Sequence, residues 1–452
     1  MKKIFYCPCR IDILLFSMIS LSACGQKHAQ ALQVQIEGED ATPSRQPTKK
    51  NLLEITAPNY KSPAEAKHDC LGRLIFDIPQ KIEWPVFFNA NASTPFNRSF
   101  GLRISSPGDE MRFGHTLIAV IGTMGSVKKE KIFEITPLAL ERRLEKRIKE
   151  TRAYIVRLKQ EGGNPEKVAK DISEAEEWIQ GWEKTISEDR IEFEAFDPGL
   201  PNSEGYWTTR IEANDASEPY SVFRAYLTRG EYIYVFESSF QMKKPSDKDI
   251  HKKEFTTLLA KFRTREANEI PTEMGVCVPF GFLPDDGSTV VEFKQSLRFP
   301  DAPGVLYTIE TGNVHPRRLK FPPLSAAAHA TINPLPTITG DEVRAVVTQR
   351  IGPRIAKIGG LSAEQGGTVL KVDQPGHENY EVYSVFTGYS GWLGTAVLPY
   401  ILVEMHTKTK MQAPALTQNP PPFKQSMDRL EFLLNSIRWR PTIPSAPELK
   451  SN

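Results

Sequence analysis

The chain is poor in the residues that usually announce chemistry. It holds five cysteines among 452 residues, with neither a CxxC pair nor an HExxH motif, so no metal site is indicated and no metal-ligating residue is assigned. Charge of one sign is also lacking: 57 Lys and Arg against 55 Asp and Glu leave a net +2. That balance gives no reason to invoke nucleic acid or an anionic surface as a partner. The eight histidines are scattered without an i, i+4 pair. Gly359-Gly360 and Gly366-Gly367 lack the Lys-Ser/Thr of a phosphate loop and the spacing of a dinucleotide loop, and read as turns. Gly388-Tyr389-Ser390-Gly391 is a near miss for a nucleophile elbow. Trp392 stands where GxSxG needs its second glycine, and a bulky side chain would crowd the sharp turn. Asp285-Asp286-Gly287 pairs two carboxylates, but adjacent Asp before Gly is turn chemistry. No catalytic or cofactor-binding residue is assigned, which points away from an enzyme.

What is present begins at the N-terminus. Lys2 and Lys3 precede an apolar stretch, Ile11 to Leu21, of signal-peptide length and too short for a membrane span. Arg10 and Asp12 are charges that this stretch would do without. Leu21-Ser22-Ala23-Cys24 then resembles a lipobox, so residues 1–23 are expected to be removed and Cys24 to carry lipid. Gly25 rather than Asp follows, as in lipoproteins sorted to the outer membrane. The expected location is the periplasm, with the chain held to the membrane by its lipid anchor. Residues 24–66 are polar and poor in aromatics and read as a flexible tether. About 45 such residues span roughly 35–40 Å as a coil. Cys7 and Cys9 leave with the signal and Cys24 is acylated, so only Cys70 and Cys277 remain. They could pair in an oxidising compartment. Small buried thiols are the commoner fate of unpaired cysteines, and sequence carries no bridge geometry.

The body contains a diverged duplication. Phe255, Leu258, Leu259, Phe262, Arg263 and Arg265 recur as Leu430, Leu433, Leu434, Ile437, Arg438 and Arg440, offset by 175 throughout. The apolar spacing is that of an amphipathic helix on a sheet, with the arginines expected at its C-terminal end, where the helix dipole favours cations. Each helix closes a strand-rich stretch that opens on a cysteine, Cys70-Leu-Gly-Arg in one half and Cys277-Val-Pro-Phe in the other. The expected domains are therefore 67–268 and 272–441, with a tail at 442–452. The class is α+β: two related domains, each a largely antiparallel sheet with a packed C-terminal helix. A helical hairpin over 137–188 is inserted in the first. Thr136-Pro137 starts it, Glu161-Gly-Gly-Asn-Pro165 turns it, and Val168, Ile172, Ala175, Ile179, Trp182 and Ile186 follow heptad spacing. It reads either as packing on its own sheet or as an arm for a partner.

The openings CLGRLIFDIPQKIEW and GVCVPFGFLPDDGSTVVEF resemble the two-domain immunity proteins that neutralise type VI secretion phospholipase effectors of the fourth lipase class. The resemblance spans about 67 to 441. It implies a protein that binds a cognate lipase effector and inhibits it without doing chemistry, as a clamp of two arms. Each half, with its own expected sheet and closing helix, is expected to fold separately. It assigns no contact residues. The alternative from another class is an envelope enzyme or ligand-binding lipoprotein with a pocket between its domains.

Overall fold

Two short hairpins, one carrying Cys70 and the other Cys277, organise the architecture. The computed structural model describes residues 49–84, 110–122, 137–192, 194–210, 220–313 apart from 231, 243 and 245, 344–373, 379–392, 396–409, and 416–440 apart from 417. A short helix α1 (Lys49–Glu54) precedes the first hairpin, β1 (Lys67–Leu71) and β2 (Leu74–Ile78). Strands β3 (Glu110–Phe113) and β4 (Thr116–Gly122) follow, then helices α2 (Pro137–Glu161) and α3 (Pro165–Glu192). The meander β5 (Glu194–Phe196), β6 (Ser203–Arg210), β7 (Tyr220–Arg229) and β8 (Tyr232–Gln241) leads to α4 (Asp247–Lys261) and the short β9 (Arg263–Thr264).

The second repeat runs in the same order. Its hairpin is β10 (Gly275–Val278) and β11 (Gly281–Pro284), followed by β12 (Val291–Leu297) and β13 (Val305–Gly312). A second meander comprises β14 (Arg344–Ile358), β15 (Leu361–Asp373), β16 (Tyr380–Tyr389) and β17 (Tyr400–Thr407), closed by α5 (Phe423–Ser436) and β18 (Arg438–Trp439).

The large sheet has twelve antiparallel strands in the order β14-β15-β16-β17-β13-β12-β3-β4-β8-β7-β6-β5. Each repeat contributes six, and the order reads the same from either edge, as an approximate two-fold requires. The repeats meet where β12 pairs with β3, Phe293 opposite Met111 and Glu292 opposite Arg112. Strand alternation sends one set of side chains towards the closing helices. Phe223 stacks on Phe255 of α4 at 6.0 Å between centroids, and Phe262 meets Tyr234 at 4.5 Å. On the other repeat the Tyr307 hydroxyl donates to the Ser426 carbonyl at 3.2 Å, and Leu430, Leu433 and Leu434 of α5 are buried. Burying each such side chain stabilises the fold by about 1.5–3 kcal/mol.

Neither hairpin is completed by its own repeat. After α4 the chain turns extended at Phe262, and β9 pairs with β11 of the second repeat, Arg263 opposite Phe282. After α5 it turns extended at Ile437, and β18 pairs with β2 of the first repeat, Arg438 opposite Ile75. These are the same contact made twice. Arg263 and Arg438 are equivalent positions, and so are Phe282 and Ile75. The match extends one step further, since Arg265 N donates to Phe280 O at 3.0 Å and Arg440 N to Arg73 O at 3.2 Å.

A disulfide joins equivalent positions of the two hairpins, Cys70 and Cys277, with Cα atoms 5.7 Å apart. Beside it Gly72 and Cys277 exchange backbone hydrogen bonds of 2.8 and 2.7 Å. Both cysteines are fully buried against Phe282. The commoner fate of small unpaired thiols is thus not theirs. Closing a loop of 207 residues would restrict the unfolded chain by about 5 kcal/mol in the chain-entropy picture.

Several expectations need correction. The α+β class with antiparallel sheets is found, but 67–268 and 272–441 do not form two free-standing sheets; their strands share one sheet, and residues 47–452 make one compact unit. Reciprocal pairing makes neither half complete alone, so the picture of two arms that fold separately is not the structure. The paired arginines lie beyond the helix ends, in β9 and β18, because both helices stop at an extended residue that feeds a strand. The tether expected over 24–66 is packed on the body from 49 onward. Ile55 is buried and its carbonyl accepts from Trp439 N at 3.1 Å, while the Tyr60 hydroxyl donates to Asp77 at 2.8 Å. Residues 1–48 and 441–452 lie outside the described residues.

If reciprocal pairing holds the halves, chain continuity between them is dispensable. A protease site inserted between the exposed Ala267 and Asn268, then cut, is expected to leave both fragments co-eluting in size exclusion even with reductant. Separation of the fragments under reducing, non-denaturing conditions would show that the disulfide alone joins them.

Candidate interaction surface

The face of the large sheet turned away from α4 and α5 is lined by the alternate side chains of its strands. Opposite Phe293, Ile309, Val403 and Met405, the central strands carry Glu292, Lys294 and Ser296, then Thr308 and Glu310, then Leu402, Glu404 and His406. Lys294 Nζ lies 3.3 Å from Glu310 Oε2. The Tyr400 hydroxyl donates to Glu310 at 3.1 Å and, at 3.4 Å, to Glu292. Ser296 and Thr308, both buried, share a hydroxyl hydrogen bond of 2.9 Å.

The pattern continues across the seam between the repeats. Registers carry a single row through Glu292, Arg112, Leu117, Glu237, Arg224 and Tyr206, of which Arg224 and Tyr206 are buried. The Arg224 guanidinium grips the Glu237 carboxylate through two nitrogens. Glu204 accepts from the Tyr206 hydroxyl at 2.8 Å and from Arg142 of α2 at 2.6 Å, so the root of the helical hairpin touches this face. Such pairs fix the positions of charges without leaving them free, which suits recognition of a shaped, mixed-charge partner.

Two titratable groups on this face are displaced from their ordinary values. Burial raises the Glu404 carboxyl; Lys294 opposes that shift and Glu310 reinforces it. Burial, then Lys408 and Lys294, push the His406 imidazole down to about 4.

The residues that sequence reading singled out fall into place individually. Asp285 and Asp286 are turn residues, accepting from Gly287 N at 3.0 Å and Ser288 N at 2.9 Å, and Asp285 also pairs with the buried Arg73. Ser390 is exposed just past the end of β16. Gly359 and Gly360 do form a turn, between β14 and β15, and Gly359 needs its φ of 56° there. Gly366 and Gly367 do not: they lie inside β15, where a side chain on Gly367 would strike the Ser384 carbonyl of the neighbouring strand. Cys24 lies outside the described residues. Among the described residues no group of His, Cys, Asp or Glu is placed to hold a metal ion. Sequence reading missed this row entirely. Its only signal was strict alternation of charge with apolar residues, as in VEFKQSL (291–297), which also describes any half-buried strand.

The His406 shift has a pH consequence. Its imidazole is held below the unfolded value of 6.5, at about 4, so its contribution is complete above pH 6.5 and lost as pH falls through 4. The loss is expected to be about 3 kcal/mol. Urea titrations at steps between pH 7 and pH 4 should show it, and His406→Gln should flatten that part of the profile. An unchanged slope in the variant would remove His406 as its source.

Comparison with known proteins adds a family. Residues 269–442 match the family described as Tle cognate immunity protein 4 C-terminal domain. No curated protein matches the chain. Among solved structures, the Tle4-Tli4 complex contains a chain that is 15% identical, covering 85% of this chain and all of that one, with a TM-score of 0.45. The apo immunity protein TplEi of the T6SS from Pseudomonas aeruginosa is 17% identical over 84% of this chain and 99% of its own, with a TM-score of 0.44.

Proposed function

We propose, from the match of residues 269–442 to the Tle cognate immunity protein 4 family, that this protein is an immunity protein that binds a type VI secretion lipase effector. It inhibits that effector and protects the producing cell, and it carries out no turnover of its own. The family match is the observation that carries the reading. The structure supports it in kind: a mixed-charge face fixed by ion pairs, on a body whose halves are locked together, suits stoichiometric binding to another protein.

The location belongs to the same proposal. The protein works in the periplasm, anchored to the outer membrane through acylated Cys24. A bridge between Cys70 and Cys277 supports an oxidising compartment, where structural disulfides form and persist.

The central experiment titrates a type VI lipase effector from the producing bacterium with the purified mature protein. Inhibition is expected to be complete at one equivalent. A lipase that stays active at excess protein would sink the proposal. A turnover by the immunity protein that survives purification and disappears with one point mutation would overturn its non-enzymatic part.

For the anchor, Cys24→Ser should move the protein from the membrane fraction to the soluble periplasmic fraction. A variant that stays firmly with membranes would count against lipidation at Cys24.

A further inference from the structure

Strand β14 forms one edge of the large sheet and pairs with β15 alone. At 15 residues it is a long edge, whereas β5 at the opposite end has 3. Among the described residues β14 makes no backbone hydrogen bond on its outer side. Such an edge presents a row of N–H and C=O groups that a further strand can pair. Two register shifts interrupt the row, between Val347 and Gln349 and between Ile351 and Arg354. Irregularities of this kind keep long flat strands off an edge. Beyond them, residues 354–358 pair with 361–365 without a break.

The edge carries positive charge that its neighbours leave uncancelled. β14 contains Arg344, Arg350, Arg354 and Lys357 and neither Asp nor Glu. Arg350 and Lys357 are exposed and make no ion pair among the described residues. Arg354 donates through Nε to the uncharged side-chain oxygen of Gln365 at 2.9 Å. Glu364, opposite Ile355, has its carboxyl raised by burial, with no cation drawing it back down. Asp373 stands opposite Arg344, at the far end of the strand. Between Arg354 and Lys357, Ile355 is 74% exposed. The edge also continues the mixed-charge face: the row through Lys294 and Glu310 runs on through Leu402, Gly388 and Glu364 and ends at Ile355.

We propose that residues 354–358 of β14 take up an extended, carboxylate-bearing segment of the lipase effector as an added strand of the sheet. This rests on the immunity reading above. An added strand meets three features at once. Its backbone completes the open row, its carboxylates face Arg354 and Lys357, and an apolar side chain covers Ile355. Phosphate groups of a lipid surface would meet the cations but leave the backbone row and Ile355 without partners. A second copy of this chain would set cation against cation, since β14 has no carboxylate to offer.

The test replaces Ile355 in the full mature protein with a benzophenone photo-crosslinking residue and illuminates the complex with the effector. Mass spectrometry is expected to find one crosslinked effector segment, and that segment should contain Asp or Glu. By calorimetry, Ile355→Ala and Lys357→Glu are each expected to weaken binding about 10-fold. The Lys357→Glu loss should shrink as salt rises. Ile250→Ala is the control: Ile250 is 51% exposed on α4, and its truncation should leave affinity unchanged. Circular dichroism checks that each variant is folded. If the wild-type protein binds tightly and neither edge variant weakens binding, this inference falls while the immunity reading stands. A crosslink to an effector segment without carboxylates, or to a second copy of this chain, overturns it in the same way. So does a Lys357→Glu variant that keeps its effector affinity but loses binding to phosphatidylglycerol vesicles. If the wild-type protein does not bind the effector, the immunity reading falls, and this one with it.

Discussion

The structure depends on a reciprocal exchange at its centre. Each closing helix is followed by two residues of strand that complete the hairpin of the other repeat. A β-hairpin alone is at best marginal in water, and a third strand plus a covering core is what makes it stable. Because each repeat lends that third strand away, each depends on the other for its own opening hairpin. The shared sheet and the Cys70–Cys277 bond act on the same joint. The disulfide links two elements that strand pairing has already brought together, so it reinforces the exchange and does not substitute for it.

The exchange explains why arginines are buried here. Arg265 and Arg440 follow the lent strands into the body, where they are 5% and 1% exposed. Arg265 finds a carboxylate, Asp69, at 2.6 Å, and also reaches the Cys70 carbonyl. The second hairpin breaks the symmetry: Val276 occupies the place equivalent to Asp69. Arg440 is left with backbone acceptors, the carbonyls of Pro271 and Gly275. Desolvation, with Arg73 nearby, lowers its guanidinium to about 10. Phe282 offers partial compensation, with the guanidinium carbons of Arg263 and Arg440 at 4.9 and 5.2 Å from its ring centroid. Removing a carboxylate from a buried ion pair typically costs about 3–5 kcal/mol. The asymmetry leaves Arg440, at the second hairpin, without the carboxylate partner that Arg265 has.

How much of this was legible follows from what sequence periodicity can encode. The paired helices and their trailing arginines stood out because an amphipathic face and a fixed offset are local patterns. The hairpin at 137–188 was readable for the same reason: heptad spacing, a Gly-Gly break and Asn164 before Pro165 are local signals. The partner of Arg438 was not legible. Nothing near Arg438 distinguishes pairing with Ile75, more than 360 residues away, from pairing with its own repeat's hairpin. Strand exchange changes no residue type, only which copy supplies the neighbour. The packing of residues 49–66 was hidden because polar segments that dock do so through a few contacts, here Ile55 and Tyr60. The cysteine pair was undecidable on similar grounds, since a bridge requires a distance that only the exchange creates.

The exchange also bears on how such a body would inhibit another protein. A clamp with a hinge must spend binding free energy on closing, whereas a body whose halves are already interlocked meets its partner in one shape. That removes part of the ordering cost of association and makes affinity depend on the quality of a few contacts. The sheet face, with charges paired as Lys294 with Glu310 and Arg224 with Glu237, contributes orientation and discrimination, because fixed ion pairs reject a partner of the wrong charge pattern more than they attract the right one. Arg142, rooted on Glu204 of the sheet, ties the helical hairpin to the edge of that shared sheet.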